Sequence, residues 1–220
     1  MEYLTHTLAN GISLVHRPVN SLIAHAGLFI NTGSRDELEV EHGMAHLIEH
    51  MLFKGTERRK SFHILSRMEN VGGEINAYTT KEETVIYSIF FKEYYKRAFE
   101  LISDIAFYSS FPLSELRKEK EVILDEINSY KDSPSELIFD EFEELLFDGN
   151  PLSRNILGDE NKLKSFQSEQ LRSFIARNYA TEHMVVSSVG NIDFRKLISL
   201  FEMYFGSIGI RQFNGRDKFE

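Results

Sequence analysis

The sequence of 220 residues contains no cysteine. Without cysteine, the chain can form neither a disulfide framework nor a metal site built from thiolates. It also lacks an apolar run near the 20 residues that span a bilayer, so we expect no membrane partner. The N-terminus does not open with a charged segment followed by an apolar one. No signal peptide is therefore visible, and we expect a cytoplasmic protein, with the periplasm or an organelle matrix left open.

Basic residues are in short supply as well. The chain has 25 Lys and Arg against 34 Asp and Glu, a formal net charge of −9 at pH 7. Nucleic-acid-binding proteins usually present a basic face, so we expect no nucleic-acid partner. The acidic balance mildly favours a basic substrate, but a solvated acidic surface is the simpler interpretation. A hydrophobic fraction of 42% and a charged fraction of 27% are ordinary for a globular protein, and the length allows one large domain with a substantial core.

Apolar periodicity and turn signals predict strands and helices that do not alternate regularly. Strands are predicted at residues 4–8, 12–17, 23–31, 74–79, 83–91 and 183–190. Helices are predicted at about residues 43–54, 61–71, 93–109, 113–131, 134–147, 168–178 and 193–204. Asn10-Gly11 predicts a two-residue turn between the first two strands. This order indicates an α+β fold, with a largely antiparallel β-sheet packed against several α-helices.

The predicted helix at residues 134–147 combines an acidic run with apolar residues at helical spacing. The acidic run at residues 140–144 is interpreted as a solvated face. The apolar side chains then fill the other side of the helix: Ile138, Phe142, Leu145 and Leu146. The predicted helix is thus divided into an acidic, solvated side and an apolar side.

The clearest chemical signal is the run His46-Leu47-Ile48-Glu49-His50. On a helix, side chains four residues apart have Cβ atoms about 5–6 Å apart, so His46 and His50 can bind one Zn²⁺. Glu49 lies close to the same face and can reach a zinc-bound water without being a ligand. The order H-x-x-E-H is the inverzincin pattern. The alternative is two ordinary helix histidines beside a glutamate. His42, one turn earlier, is interpreted as a solvated or loop-capping histidine rather than a ligand.

A catalytic zinc site needs a third protein ligand and keeps its fourth position for water. The predicted helix at residues 113–131 offers Glu119 and Glu126, which project from nearly the same side. Apolar residues recur beside them and predict a buried stripe: Leu113, Leu116, Ile123, Ile127 and Tyr130. A carboxylate at the edge of a buried face needs a partner. We predict that Glu126 binds the metal and that Glu119 assists catalysis by hydrogen-bonding a ligand or the water. Glu121 is the alternative to Glu126.

These motifs and several other segments resemble the M16 zinc metallopeptidases, the family of pitrilysin, insulin-degrading enzyme and mitochondrial processing peptidase. The separation of 76 residues between His50 and Glu126 (126 − 50) is similar to the family's spacing. The other segments that resemble the family lie at residues 33–37, 72–79, 118–127, 151–158, 178–179 and 189–192. The resemblance runs from about Leu8 to Phe205. It implies an α+β fold of the kind shared by LuxS and processing-peptidase metallohydrolases.

The resemblance also has implications for domain organisation. Active members of the family usually carry two homologous domains, of which the second lacks zinc ligands and helps to clamp the substrate. This chain has length for one. We therefore expect a zinc-binding catalytic domain over residues 1–208 and the start of an interdomain linker or tail at residues 209–220. The expected partner is a homologous second domain or subunit, or another copy in a homo-oligomer.

The function that the resemblance implies is that of a zinc metalloendopeptidase acting on peptides or unfolded proteins in extended conformation. One Zn²⁺ per chain would be held by His46, His50 and Glu126, with Glu49 as general base. Asn76 and Ala77 are expected to orient the substrate, which can add as a strand beside residues 74–79. The alternative is a zinc- and peptide-binding but non-catalytic half of a split assembly. The presence of Glu49 favours chemistry over that alternative.

Overall fold

The computed structural model describes residues 3–212, 215 and 216. Six strands form one sheet: β1 (Leu4–Thr7), β2 (Ser13–Pro18), β3 (Ile23–Ile30), β4 (Glu74–Thr79), β5 (Thr84–Phe91) and β6 (Met184–Gly190). The helices within the described residues are α1 (Met44–Leu52), α2 (Ser61–Glu69), α3 (Tyr95–Phe107), α4 (Leu113–Lys131), α5 (Pro134–Leu146), α6 (Glu160–Ser165), α7 (Ser168–Asn178) and α8 (Phe194–Phe205). The prediction of an α+β fold is confirmed.

The sheet has the strand order β1-β2-β6-β3-β5-β4. Every neighbouring pair is antiparallel except β2 and β6, which run parallel. β6 comes from the far end of the described chain and lies between β2 and β3, so it joins the N-terminal hairpin to the rest of the sheet. β4 lies at the edge and, among the described residues, pairs with β5 alone. A strand in this position keeps one side of its backbone available to another chain.

Helix α1 is unusually well buried for a helix of nine residues. Seven of its residues are buried, including His46. It contacts α4, α7 and the edge strand β4. Because a buried helix cannot move without disturbing every neighbour, the histidines on α1 have a fixed position relative to α4 and β4. On the sheet itself, inward-facing side chains such as Leu28 and Ile86 are fully buried within the same core.

Three details differ from the sequence-based expectations. The first hairpin turns through three residues, Ala9 to Gly11, because Leu8 N donates to Ile12 O and Gly11 adopts a φ of +94°. Helix α6 was not expected, since six residues are too few to show a helical period. On α4, the apolar stripe is buried at its centre, but Leu113 at the first turn is 53% exposed.

The interpretation of the acidic run on α5 as a solvated face is wrong at Asp140 and Glu143, which face the rest of the chain. Ile138, Phe142, Leu145 and Leu146 are all exposed, and α5 has no buried residue. Its partly buried positions include Asp140 and Glu143, which make polar contacts with the rest of the chain. Periodicity identifies the apolar side of a helix but does not say whether this chain covers it.

Arg211 and Arg216, near the C-terminus, both contact the domain. Arg211 exchanges hydrogen bonds with Thr181, whose N–H donates to Arg211 O over 3.1 Å. The Arg216 guanidinium forms an ion pair with Asp36 at 2.7 Å. The predicted linker at residues 209–220 lies partly outside the described residues, so the division into domains stays a prediction. No helix among the described residues is both long and apolar enough to cross a bilayer.

Candidate active site

The position of α1 is set by the loop that precedes it. Gly43 lies just before the helix with a φ of +97°, and a Cβ there would come within 2.9 Å of the Gly158 Cα. Only glycine combines this backbone conformation with so close an approach. The buried Glu37 carboxylate accepts hydrogen bonds from Gly43 N at 3.0 Å and from Ala45 N at 2.8 Å. It thereby satisfies two N–H groups at the helix N-terminus that have no partner within the helix.

His46 and His50 lie one turn apart on α1, and their ring centroids are 4.7 Å apart. Glu126, on α4, brings its Oε2 to 3.7 Å from His46 Nε2 and to 3.7 Å from His50 Nε2. The three ligand atoms all lie within 4.8 Å of one another. An ideal tetrahedral Zn²⁺ site separates its ligand atoms by roughly 3.4 Å, as Zn–N and Zn–O lengths near 2.1 Å require. The arrangement is therefore slightly wider than a metal-bound one and fits a zinc ion.

The protonation of His46 suits a metal ligand. Burial, with a smaller contribution from the neighbouring His50, lowers the pKa of His46 to about 4. The imidazole is therefore neutral at pH 7, which is the form that binds metal. Within the described part of the chain, no group hydrogen-bonds the buried Nδ1 of His46.

Glu119 contacts His50 at Nδ1, the ring nitrogen that does not face Glu126. Its Oε2 lies 3.2 Å from His50 Nδ1, and its Oε1 lies 2.7 Å from Lys54 Nζ. A carboxylate that accepts the Nδ1–H of a histidine fixes the ring orientation and leaves Nε2 free to bind a metal. The Glu119 side chain is only 9% exposed, so the lysine also supplies a counter-charge for an otherwise buried acid. Glu119 thus contacts a candidate ligand directly, and its role in catalysis stays a prediction.

Glu49 is partly buried beside the cluster. Burial raises the pKa of its carboxyl, and the neighbouring Thr79 and the His50 imidazole partly offset that effect. The charge of Glu126 acts in the same direction as burial. Glu49 therefore feels the charges of two of the three clustered residues while remaining outside the ligand set. Its role as general base stays a prediction.

The predicted substrate-binding residues lie on the edge strand β4. Asn76 is exposed and Ala77 is buried, so the two side chains point to opposite faces of the sheet. The Ala77 N–H donates to Asn76 Oδ1 over 2.8 Å. Because β4 contacts α1, a peptide along this edge would run past the histidine pair. Their role in binding substrate stays a prediction.

The rejected alternatives lie elsewhere. His42 is hydrogen-bonded through Nε2 to Asn155 O at 2.7 Å, which agrees with its interpretation as a loop-capping residue. Glu121 is exposed and does not belong to the cluster. Sequence reasoning missed Lys54 and the capping role of Glu37. Lys54 follows His50 by four residues, the same helical spacing that identified the histidine pair, so that signal was available.

Comparisons with known proteins place the chain in a family. The family described as "Insulinase (Peptidase family M16)" matches residues 14–160, and the one described as "Peptidase M16 inactive domain" matches residues 165–218. The chain belongs to peptidase family M16. The resemblance noted from the motifs is therefore confirmed, and the protein is a peptidase-like domain of a metallopeptidase family.

Among curated M16 relatives, the mitochondrial-processing peptidase subunit beta of Lentinula edodes is 36% identical over 205 residues, covering 93% of this chain and 44% of the relative. An uncharacterized zinc protease of Bacillus subtilis (strain 168) is 35% identical over 92% of this chain and 49% of its own length. The chain thus spans about half the length of the curated relatives it matches. Their names imply zinc for this family, and the described residues offer His46, His50 and Glu126 as a possible site.

Solved structures agree on the M16 fold. A protease from Helicobacter pylori superposes with a TM-score of 0.91 at 20% identity, covering 99% of this chain and 53% of that one. A peptidase M16 inactive domain from Pseudomonas fluorescens gives a TM-score of 0.90 at 20% identity, covering 100% of this chain and 53% of that one. At such identities the likeness concerns the fold alone.

Proposed function

We propose that this chain is the zinc-binding, catalytic half of a metalloendopeptidase. The observation that carries the proposal is the convergence of Glu126 Oε2 on the Nε2 atoms of His46 and His50, at 3.7 Å from each. Two imidazoles and one carboxylate leave a fourth tetrahedral position for water, which distinguishes a catalytic zinc site from a structural one. One Zn²⁺ per chain is the cofactor this donor set suits.

A Zn²⁺ held there would lower the pKa of a coordinated water to about 7 and polarise the scissile carbonyl. The protein residues do the remaining work. Glu49 accepts a proton from the attacking water and then donates it to the nitrogen of the leaving amine. Glu119 holds the His50 ring in position through Nδ1, and Lys54 holds Glu119. The buried helix α1 keeps Glu49 and both histidines in one rigid unit.

The proposed substrate is a peptide or an unfolded protein in extended conformation. The edge strand β4 supports this, since a peptide can add to it through main-chain hydrogen bonds that are independent of side-chain sequence. Asn76 and Ala77 lie in that strand and would orient the peptide. Specificity would come from pockets along its path.

A second candidate is a half that binds zinc and peptide but does not catalyse hydrolysis until a second half is present. The observation in its favour is that the chain spans 44% to 49% of the length of curated relatives. The two candidates share a metal site and differ only in whether turnover requires a partner. The retention of Glu49, which a non-catalytic half does not need, favours the first.

Cleavage of a quenched fluorescent peptide tests the proposal. The zinc-loaded chain is assayed alone and together with the C-terminal half of the Bacillus subtilis relative. Turnover by the chain alone supports the first candidate, and turnover that appears only on mixing supports the second.

Glu49→Gln is the matched control, because it retains shape but cannot accept the proton. It should bind zinc normally and lose at least about a hundredfold in turnover. Unchanged cleavage by zinc-loaded Glu49→Gln would remove Glu49 from the proposed role.

A further inference from the structure

Helix α5 carries its large apolar side chains on the outside of the molecule. The outer stripe, as we call this row, has exposures of 60% at Ile138, 71% at Phe139, 61% at Phe142, 81% at Leu145 and 56% at Leu146. These positions recur at intervals of three and four residues, so they lie along one side of the helix. A contiguous apolar surface of this kind usually marks an interaction site.

The opposite side of α5 is held to the domain by polar contacts. Asp140 accepts hydrogen bonds from Tyr130 Oη and Asn155 Nδ2. Glu143 forms an ion pair with Lys81, which also donates to Leu152 O at 2.8 Å. Rotating the helix to bury the outer stripe would break these contacts and turn both carboxylates away from their partners. The exposure of the stripe is therefore built into the way α5 is anchored.

The charges beside the stripe indicate what can cover it. Glu141 and Glu144 are exposed on α5, and Asp148 follows the helix. Pairing α5 with α5 of a second copy would bring these acidic groups together, and like charges across an interface are unfavourable. The complementary surface is an apolar groove with Lys or Arg at its rim.

We propose that the outer stripe is the docking surface for a second M16-type half, whether that half is joined to this chain or separate. The curated relatives are about twice as long as the part this chain matches, so the family provides such a partner. α5 begins three residues after α4 ends and packs against it. A half docked on the stripe would therefore cover α5 on the side opposite its contact with Tyr130 of α4. The inference rests on the proposed need for a second half, and it is independent of the zinc chemistry.

Site-specific photo-crosslinking in the source cells tests this proposal. A benzoylphenylalanine placed at Phe142 should crosslink to a polypeptide segment of M16 type that lies outside residues 1–220, identified by mass spectrometry of the linked peptides. The same crosslinker at Glu169, which is 79% exposed on α7, is the control position and should give no such product.

A second variant separates docking from chance proximity. Leu145→Glu places a charge on the most exposed residue of the stripe, three positions from Phe142, and should reduce the crosslink from position 142 by about tenfold or more. Met203→Glu changes an exposed apolar residue on α8, 59% exposed, and should leave the crosslink unchanged. Crosslinks to a second copy of residues 1–220 or to an unrelated protein, or a yield no higher than at Glu169, would overturn the proposal. Because the readout is a crosslink, an inactive but docked chain contradicts only the catalytic proposal.

Discussion

At the residue scale, the candidate metal site consists of three side chains: His46, His50 and Glu126. The two histidines come from one short helix, whereas Glu126 comes from another helix 76 residues further along (126 − 50). Glu119 contacts His50, and Lys54 in turn contacts Glu119. His46 has no counterpart to this support among the described residues, since its Nδ1 is without a partner. The two histidines are therefore expected to respond differently to mutations around them.

Lys54→Met tests whether the contact of Lys54 with Glu119 supports His50. Loss of the ammonium leaves the Glu119 carboxylate without its 2.7 Å partner, so Glu119 should hold the His50 ring less well. We expect zinc affinity to fall by about tenfold, measured by competition with a chromophoric chelator. Lys118→Met, at an exposed lysine on α4, is the control and should bind zinc as tightly as the unaltered chain. Equal affinities for both variants would contradict the positioning role of Lys54.

At the scale of elements, α1 depends on Glu37 for the two hydrogen bonds at its N-terminus. Glu37→Ala leaves two buried N–H groups without an acceptor, and we expect the free energy of unfolding to fall by about 2–3 kcal/mol. Denaturant unfolding followed by circular dichroism measures this. Glu169→Ala removes an exposed acid and should change stability by less than about 0.5 kcal/mol. A similar loss for both variants would mean that Glu37 does not cap α1.

The raised pKa of Glu37 predicts that the free energy of unfolding depends on pH. Burial raises the pKa of Glu37 to about 8, and the two backbone N–H groups and Arg154 only partly offset it. The folded chain therefore retains a proton that the unfolded chain releases near pH 4.5. The resulting stabilisation is complete below pH 4.5 and is lost as the pH rises through 8. Stability should fall between pH 5 and 9 by more in the unaltered chain than in Glu37→Gln. Parallel curves would show that Glu37 does not titrate in this range.

Helices α4 and α5 both have apolar residues at helical spacing, but those of α4 are largely buried and those of α5 are exposed. Ile123 on α4 is fully buried, whereas Phe142 on α5 is 61% exposed. Ile123→Ala should cost about 2–5 kcal/mol of unfolding free energy. Phe142→Ser should change it by less than about 0.5 kcal/mol in this chain. A large loss for Phe142→Ser would mean that α5 packs inward after all.

Much of the fold and of the site could be predicted at this scale because it is local. Helix geometry alone relates His46 to His50, and strand alternation gave β4 and β5 nearly to the residue. The partnership with Glu126 is not local; its place beside a buried stripe made it a candidate, and the family resemblance added the spacing from α1. The outward side of α5 could not be predicted, because it depends on the non-local partners of Asp140 and Glu143. Helix α6 and the three-residue hairpin turn were too short or too subtle for periodicity to detect.

At the scale of the whole molecule, the chain combines a candidate metal site on packed helices with an edge strand and an exposed apolar helix face. The metal cluster is fixed by buried helices, whereas the edge of β4 and the outer stripe of α5 both face away from the core. We propose the first for an extended peptide and the second for a second M16-type half. On this proposal the domain supplies the metal site to a larger assembly. The cytoplasmic location stays a prediction.

The metal content of the purified chain after zinc loading and exhaustive dialysis tests the central claim most directly. We predict about one zinc per chain for the unaltered protein and for Glu49→Gln, and far less than one for Glu126→Ala. Glu121→Ala, an exposed acid on the same helix, should retain the full content. Retention of a full zinc equivalent by Glu126→Ala, or no bound zinc in the unaltered chain, would contradict the account.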